Sequence, residues 1–191
     1  MFEPATERAL QICLEAHAGQ TRKGGGAPYA VHPLHVAWIL ARWGAAPVVQ
    51  RAALVHDVPE DCAGWSLARL QRELGPEVAA IVGQLTEDKS RPWIERKQAA
   101  IDHVSDLAPE AVLVKAADKL HNLRTLAEAL RSSPDPAQIW SRFNGGRDST
   151  LRMSAALVEA LCRRLEPGPA AELREAMTIL LRESASGPTA R

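Results

Sequence analysis

Apolar residues recur three and four positions apart along almost the whole chain, and nowhere do they alternate for more than a few residues. That is the helical period, and the lack of a two-residue period argues against sheet. Proline and glycine cut the pattern into segments. Pro4 suits the first turn of a helix that Gly19 can end, with Ala9, Ile12, Cys13 and Ala16 at helical spacing. His17 stands near that end, where a capping or core role is expected rather than a ligand role. A second helix is expected over 32–43, with Pro33 in its first turn. A third runs from Pro47 to about Val58, where Pro59 must end or kink it for want of an N–H to give the carbonyl of Val55. Ser66 is an N-cap for 67–74, and Gly75-Pro76 separates that helix from 77–85. Further helices are expected over 92–104, 109–130, 147–165 and 170–183, with a short segment around 139–143. The sum is an all-α fold of about nine or ten helices in one domain over residues 1–183, ending in a flexible tail over 184–191.

Charge and cysteine content narrow the classes of function. Lys+Arg and Asp+Glu both number 23, so the net charge is +0 and no general field draws the chain to duplex nucleic acid. A local basic pocket for a small phosphorylated ligand stays open. No run of about 20 uncharged apolar residues is present, so no membrane span is expected. The N-terminus lacks the order of a signal peptide. The three cysteines, Cys13, Cys62 and Cys162, are odd in number, widely spaced and outside any C-x-x-C pattern. Neither a disulfide framework nor a zinc knuckle follows, and Cys13 and Cys162 read as core. The expected location is the cytoplasm. The oligomeric state is left open, a homo-oligomer included.

One stretch concentrates the chemistry. The apolar run Ala52-Ala53-Leu54-Val55 ends in His56-Asp57, and Glu60 and Asp61 follow just beyond Pro59. Three carboxylates this close, beside an imidazole, repel one another unless a positive partner sits among them, and a divalent metal is the simplest. His56 and Asp57 can share one ion only in the wedge between them, which leaves positions for ligands from other helices. His32, at a helix start, and Asp118, in mid-helix, are the natural suppliers. Two imidazoles and two carboxylates suit Mn²⁺, Fe²⁺ or Zn²⁺. Glu60 and Asp61 beside such an ion could accept a proton from water. Asn122 shares a helix face with Asp118 and Lys115. Upstream, Arg22 and Lys23 precede Gly24-Gly25-Gly26, whose backbone can approach an anion.

The segments Arg22-Lys23, Pro28-Tyr29-Ala30-Val31-His32-Pro33, His56-Asp57-Val58-Pro59-Glu60-Asp61 and Lys115-Ala116-Ala117-Asp118-Lys119-Leu120-His121-Asn122 resemble the hydrolase domain of the RelA/SpoT-type alarmone enzymes. Order and spacing match, and the length suits the small alarmone hydrolases. The resemblance implies the all-helical HD domain. It implies one Mn²⁺ held by His32, His56, Asp57 and Asp118, with Glu60 and Asp61 as the catalytic acids that orient and deprotonate water. Arg22 would pack on guanine, and Lys23 and Asn122 would contact the nucleotide. The implied reaction removes the 3′-pyrophosphate of guanosine tetra- or pentaphosphate to give GDP or GTP. Pro59 and Cys62 depart from the family's usual aliphatic residue and threonine. Two other readings are an HD phosphohydrolase acting on another nucleotide, such as an adenosine alarmone or NADPH, and a silent nucleotide-binding module in which Pro59 has displaced the acids.

Overall fold

A computed structural model of the chain describes residues 3–22 and 26–185. In chain order its helices are α1 Pro4–Ala16, α2 Val31–Arg42, α3 Pro47–Leu54, α4 Val58–Asp61, α5 Leu67–Leu74, α6 Pro76–Leu85, α7 Trp93–Asp102, α8 Pro109–Ser132, α9 Pro136–Trp140, α10 Gly146–Cys162 and α11 Pro167–Ala185, with a 3₁₀ turn His103–Ser105 after α7. The described residues form no strand, and an isolated bridge joins Thr21 to Pro28. The all-α expectation holds. No helix among the described residues is long and apolar enough to cross a membrane.

Two compact units divide the chain. One comprises residues up to Glu87 together with Leu107–Asp118; the other comprises Asp88–Asp106 together with the residues from Lys119 onward. In the first unit α3 lies at the centre, packed against α1, α2 and α6. The small side chains of Ala52 and Ala53 are wholly buried and let neighbouring helices come close, while Val49, Leu54 and Val55 fill the space around them. The apolar run thus anchors the chain immediately before His56.

Here the structure corrects an expected boundary. The third helix does not reach Val58: α3 ends at Leu54, and a turn over 55–57 precedes α4. The carbonyl of Val55, which Pro59 cannot serve, accepts instead from the N–H of Val58 at 3.2 Å. Pro59 then falls in the first turn of α4, where its fixed φ suits and its missing N–H costs nothing. The carbonyl of Asp57 accepts from the N–H groups of Glu60 and Asp61 at 3.1 and 2.9 Å, so α4 is tied back to Asp57. Elsewhere the punctuation was informative. Ser66 Oγ accepts from the N–H of Arg69 at 3.2 Å, as an N-cap should. Helix α11 begins at Pro167, earlier than Ala170, and runs to Ala185, into the stretch expected as tail.

In the second unit α10 pairs with α11, and α7 and the 3₁₀ turn pack on α10. Leu161, Leu173, Ala176 and Leu180 are wholly buried there. Arg164 Nη1 donates to the carbonyls of Val104 and Ser105, both at 2.7 Å, and satisfies the end of the 3₁₀ turn. Gly145 faces the Trp93 ring so closely that an added Cβ would lie 2.4 Å from Cη2. Its φ of −87° is ordinary, so space and not conformation excludes a side chain. Gly145→Ala should therefore cost about 1–3 kcal/mol through overpacking. Thermal melts should show the lower Tm, and a Trp93→Leu background should absorb most of the loss.

Candidate active site

The site is assembled in the first unit from α2, the turn between α3 and α4, and the first half of α8. His32, in the first turn of α2, is buried, and its Nε2 lies 3.1 Å from Asp118 Oδ1. His56 Nε2 stands 3.9 Å from the same oxygen and 4.0 Å from Asp57 Oδ2. The His32 and His56 rings meet edge-on, centroids 5.3 Å apart. His32, His56 and Asp118 each offer a ligand atom, and these atoms all lie within 4.8 Å of one another. Three sequence-distant residues therefore converge, and the carboxylate of Asp57 is beside them.

The donor chemistry fits a divalent cation. His56 Nδ1 donates to the carbonyl of Ala53 at 2.7 Å, so in the neutral ring Nε2 carries the lone pair and points into the cluster. Burial opposes charge on His56, yet the carboxylates of Asp57 and Asp118 and the Ala53 carbonyl raise its pKa. Burial likewise opposes charge on Asp57. The His56 imidazole and hydrogen bonds from His17 and Tyr29 outweigh it and hold the carboxyl well below the usual carboxylate range. The cluster thus attracts positive charge, a proton or a metal ion. The cysteines do not compete for the metal: all three are buried, none is in a disulfide, and burial, with Asp57 and Cys62 nearby, pushes the Cys13 thiol up to about 12.

The acids that follow sit on α4. Glu60 is half-buried and its Oε1 accepts from the N–H of Glu87 at 2.7 Å. Asp61 is exposed, and its carbonyl accepts from Gln20 Nε2 at 3.3 Å. Arg22 is half-buried with its guanidinium 5.8 Å from the centre of the Tyr29 ring. Asn122 is half-buried one helical turn beyond Asp118 on α8. Lys23 lies outside the described residues.

The sequence assigns no site role to the two residues that hold Asp57, nor to Gln20, which meets one of them. Tyr29 donates its hydroxyl to Asp57 Oδ2 at 2.7 Å, and His17 Nε2 donates to Oδ1 at 3.2 Å. Burial, then the charge of Asp57, push the Tyr29 phenol far above its ordinary pKa, so it remains the donor. His17 Nδ1 meets Gln20 Oε1 at 2.9 Å. Gly19, at φ +75°, makes the reversal that brings Gln20 back to His17. The expected core role of His17 is therefore only part of its work. The usable signal was Tyr29, the chain's single tyrosine, three residues before His32.

Comparison with known proteins defines the class. The family model for the HD domain matches residues 9–150, and the chain belongs to the HD-domain family. Within that family it is 40% identical over 121 residues to the Xenopus tropicalis guanosine-3′,5′-bis(diphosphate) 3′-pyrophosphohydrolase MESH1, a match covering 62% of this chain and 67% of the frog protein. It is 36% identical over 142 residues to the Vibrio cholerae guanosine-3′,5′-bis(diphosphate) 3′-pyrophosphohydrolase, covering 69% of this chain and 19% of that longer protein. A solved structure described as a metazoan ortholog of SpoT that hydrolyzes ppGpp superposes with a TM-score of 0.77 at 28% identity, over 97% of this chain and 98% of the other.

Proposed function

We propose that this chain is a divalent-metal-dependent phosphohydrolase that cleaves the 3′-pyrophosphate from guanosine tetra- or pentaphosphate, with water, to give GDP or GTP and pyrophosphate. One observation carries the reading: the ligand atoms of His32, His56 and Asp118 lie within 4.8 Å of one another in a chain similar to proteins named 3′-pyrophosphohydrolases. His32, His56, Asp57 and Asp118 would hold the ion, and Mn²⁺ suits their mixed nitrogen and oxygen donors. A divalent cation there supplies charge that offsets the phosphoryl oxygens and lowers the pKa of water.

The chain's own groups do the rest. Asp57 is fixed through both oxygens, and His56 through Nδ1, so neither needs to reorganise as substrate arrives. Glu60, steadied by the N–H of Glu87, and Asp61 are the proposed acceptors of the proton of the attacking water. Arg22, with a flat cationic face, suits the guanine ring, and Lys23 and Asn122 complete nucleotide binding. Residues 1–183 act as the hydrolase domain in this reading. Three buried cysteines outside any disulfide agree with a cytoplasmic setting.

The test is a panel of hyperphosphorylated guanosine and adenosine nucleotides and NADPH, incubated with Mn²⁺ and resolved by chromatography. Guanosine tetraphosphate should yield GDP and intact pyrophosphate in equal amounts. Release of single phosphates, or preference for another nucleotide, would reject the assigned specificity while leaving the metal chemistry standing.

A further inference from the structure

Tyr29 touches both halves of the proposed site. Its hydroxyl donates to Asp57 Oδ2 at 2.7 Å, while the guanidinium of Arg22 lies 5.8 Å from its ring centre. We infer that Tyr29 is a positioning residue with two separable tasks: its hydroxyl orients the Asp57 carboxylate toward the bound cation, and its ring carries Arg22 for the nucleotide.

The geometry around it supports both tasks. Asp57 Oδ1 is already held by His17 Nε2 at 3.2 Å, so the Tyr29 hydroxyl on Oδ2 fixes the carboxylate plane. The ring itself is flanked by two imidazoles. It lies against the His17 ring with centroids 4.6 Å apart, and meets the His32 ring edge-on at 6.0 Å. The loop that presents Arg22 is closed on the same tyrosine: the N–H of Tyr29 donates to the carbonyl of Gln20 at 2.9 Å, and the N–H of Arg22 to that of Ala27 at 3.0 Å. A long, rotamer-rich arginine gains a preferred position from an aromatic face at this distance. Such outer partners of a metal ligand commonly matter 10–100-fold for metal affinity or activity.

The inference rests on the function proposed above, and four variants separate its two parts: Tyr29→Phe, Tyr29→Leu, Arg22→Ala, and the last two combined. Each is read by calorimetric titration with Mn²⁺ alone, and by KM and equilibrium binding of guanosine tetraphosphate at saturating Mn²⁺. Tyr29→Phe should weaken Mn²⁺ binding about 10–100-fold and leave KM at saturating metal unchanged. Tyr29→Leu should weaken Mn²⁺ equally and also raise KM several-fold. Arg22→Ala should raise KM with Mn²⁺ affinity intact, and adding Tyr29→Leu to it should raise KM no further.

Wild-type Mn²⁺ affinity in Tyr29→Phe would overturn the hydroxyl's task. Additive effects of Tyr29→Leu and Arg22→Ala on KM and on nucleotide binding would overturn the ring's. A merely structural tyrosine would lower Tm and raise KM in the Phe and Leu variants alike, which also contradicts the inference. If the wild-type protein binds Mn²⁺ yet releases no pyrophosphate, the proposed function fails, and the Mn²⁺ titrations and nucleotide-binding isotherms still decide both tasks.

Discussion

Asp118→Ala should abolish turnover and remove tight Mn²⁺ binding while the helical circular dichroism stays that of the wild type. Asp118 Oδ1 is the atom the two histidines share, 3.1 Å from His32 Nε2 and 3.9 Å from His56 Nε2. Without it, two imidazoles face each other with no carboxylate between them and offer a cation far less charge. A metal that stabilises developing phosphoryl charge contributes several kcal/mol, so the rate should fall by about 10³-fold or more. The fold has less at stake: the Asp118 side chain is 30% exposed, and the ion pair it forms in the absence of metal should be worth about 1 kcal/mol. Calorimetry with Mn²⁺, a pyrophosphate-release assay and a thermal melt check the three parts. Residual turnover within tenfold of wild type would remove Asp118 from the proposed metal set.

Glu60→Gln should lower kcat by about 10²–10⁴-fold with Mn²⁺ affinity and Tm unchanged. The substitution isolates basicity from position. Glu60 Oε1 accepts from the N–H of Glu87 at 2.7 Å, and the glutamine carbonyl can accept the same bond, so α4 keeps its place. What glutamine lacks is a carboxylate to take the proton of water. Asp61→Asn should act in the same direction. A smaller loss there than at Glu60 would name Glu60 as the principal proton acceptor, and a loss of Mn²⁺ binding in either variant would contradict the division between ligands and acids. A kcat within twofold of wild type in both would remove these two acids from the proposed proton transfer.

How far the sequence revealed this site depended on whether the signal was local. Helices were legible because proline, glycine and Ser66 mark their ends and apolar spacing marks their buried faces. His32, His56 and Asp118 were legible because each stands in a short pattern of chemically unusual neighbours, and the structure brings them within 4.8 Å. The break at residues 55–57 was misplaced because Val58 is buried like the run before it, so the apolar signal continues across a backbone that has already turned. His17 and Tyr29 were missed as holders of Asp57 for a different reason. His17 is 40 residues from Asp57 and Tyr29 is 28, and no local period encodes a pairing at that range. In sequence His17 ends a helix and Tyr29 sits beside a motif; only the packing of α1, α2 and α3 turns both onto one carboxylate. The link from Gln20 to the Asp61 carbonyl, across 41 residues, is invisible for the same cause.

Anomalous diffraction from crystals grown with Mn²⁺ tests the central claim most directly. The account predicts a single strong peak in contact with His32 Nε2, His56 Nε2 and Asp118 Oδ1, with the Asp57 carboxylate completing the protein ligands. A peak bound elsewhere, or no peak at a Mn²⁺ concentration that supports hydrolysis, would contradict it.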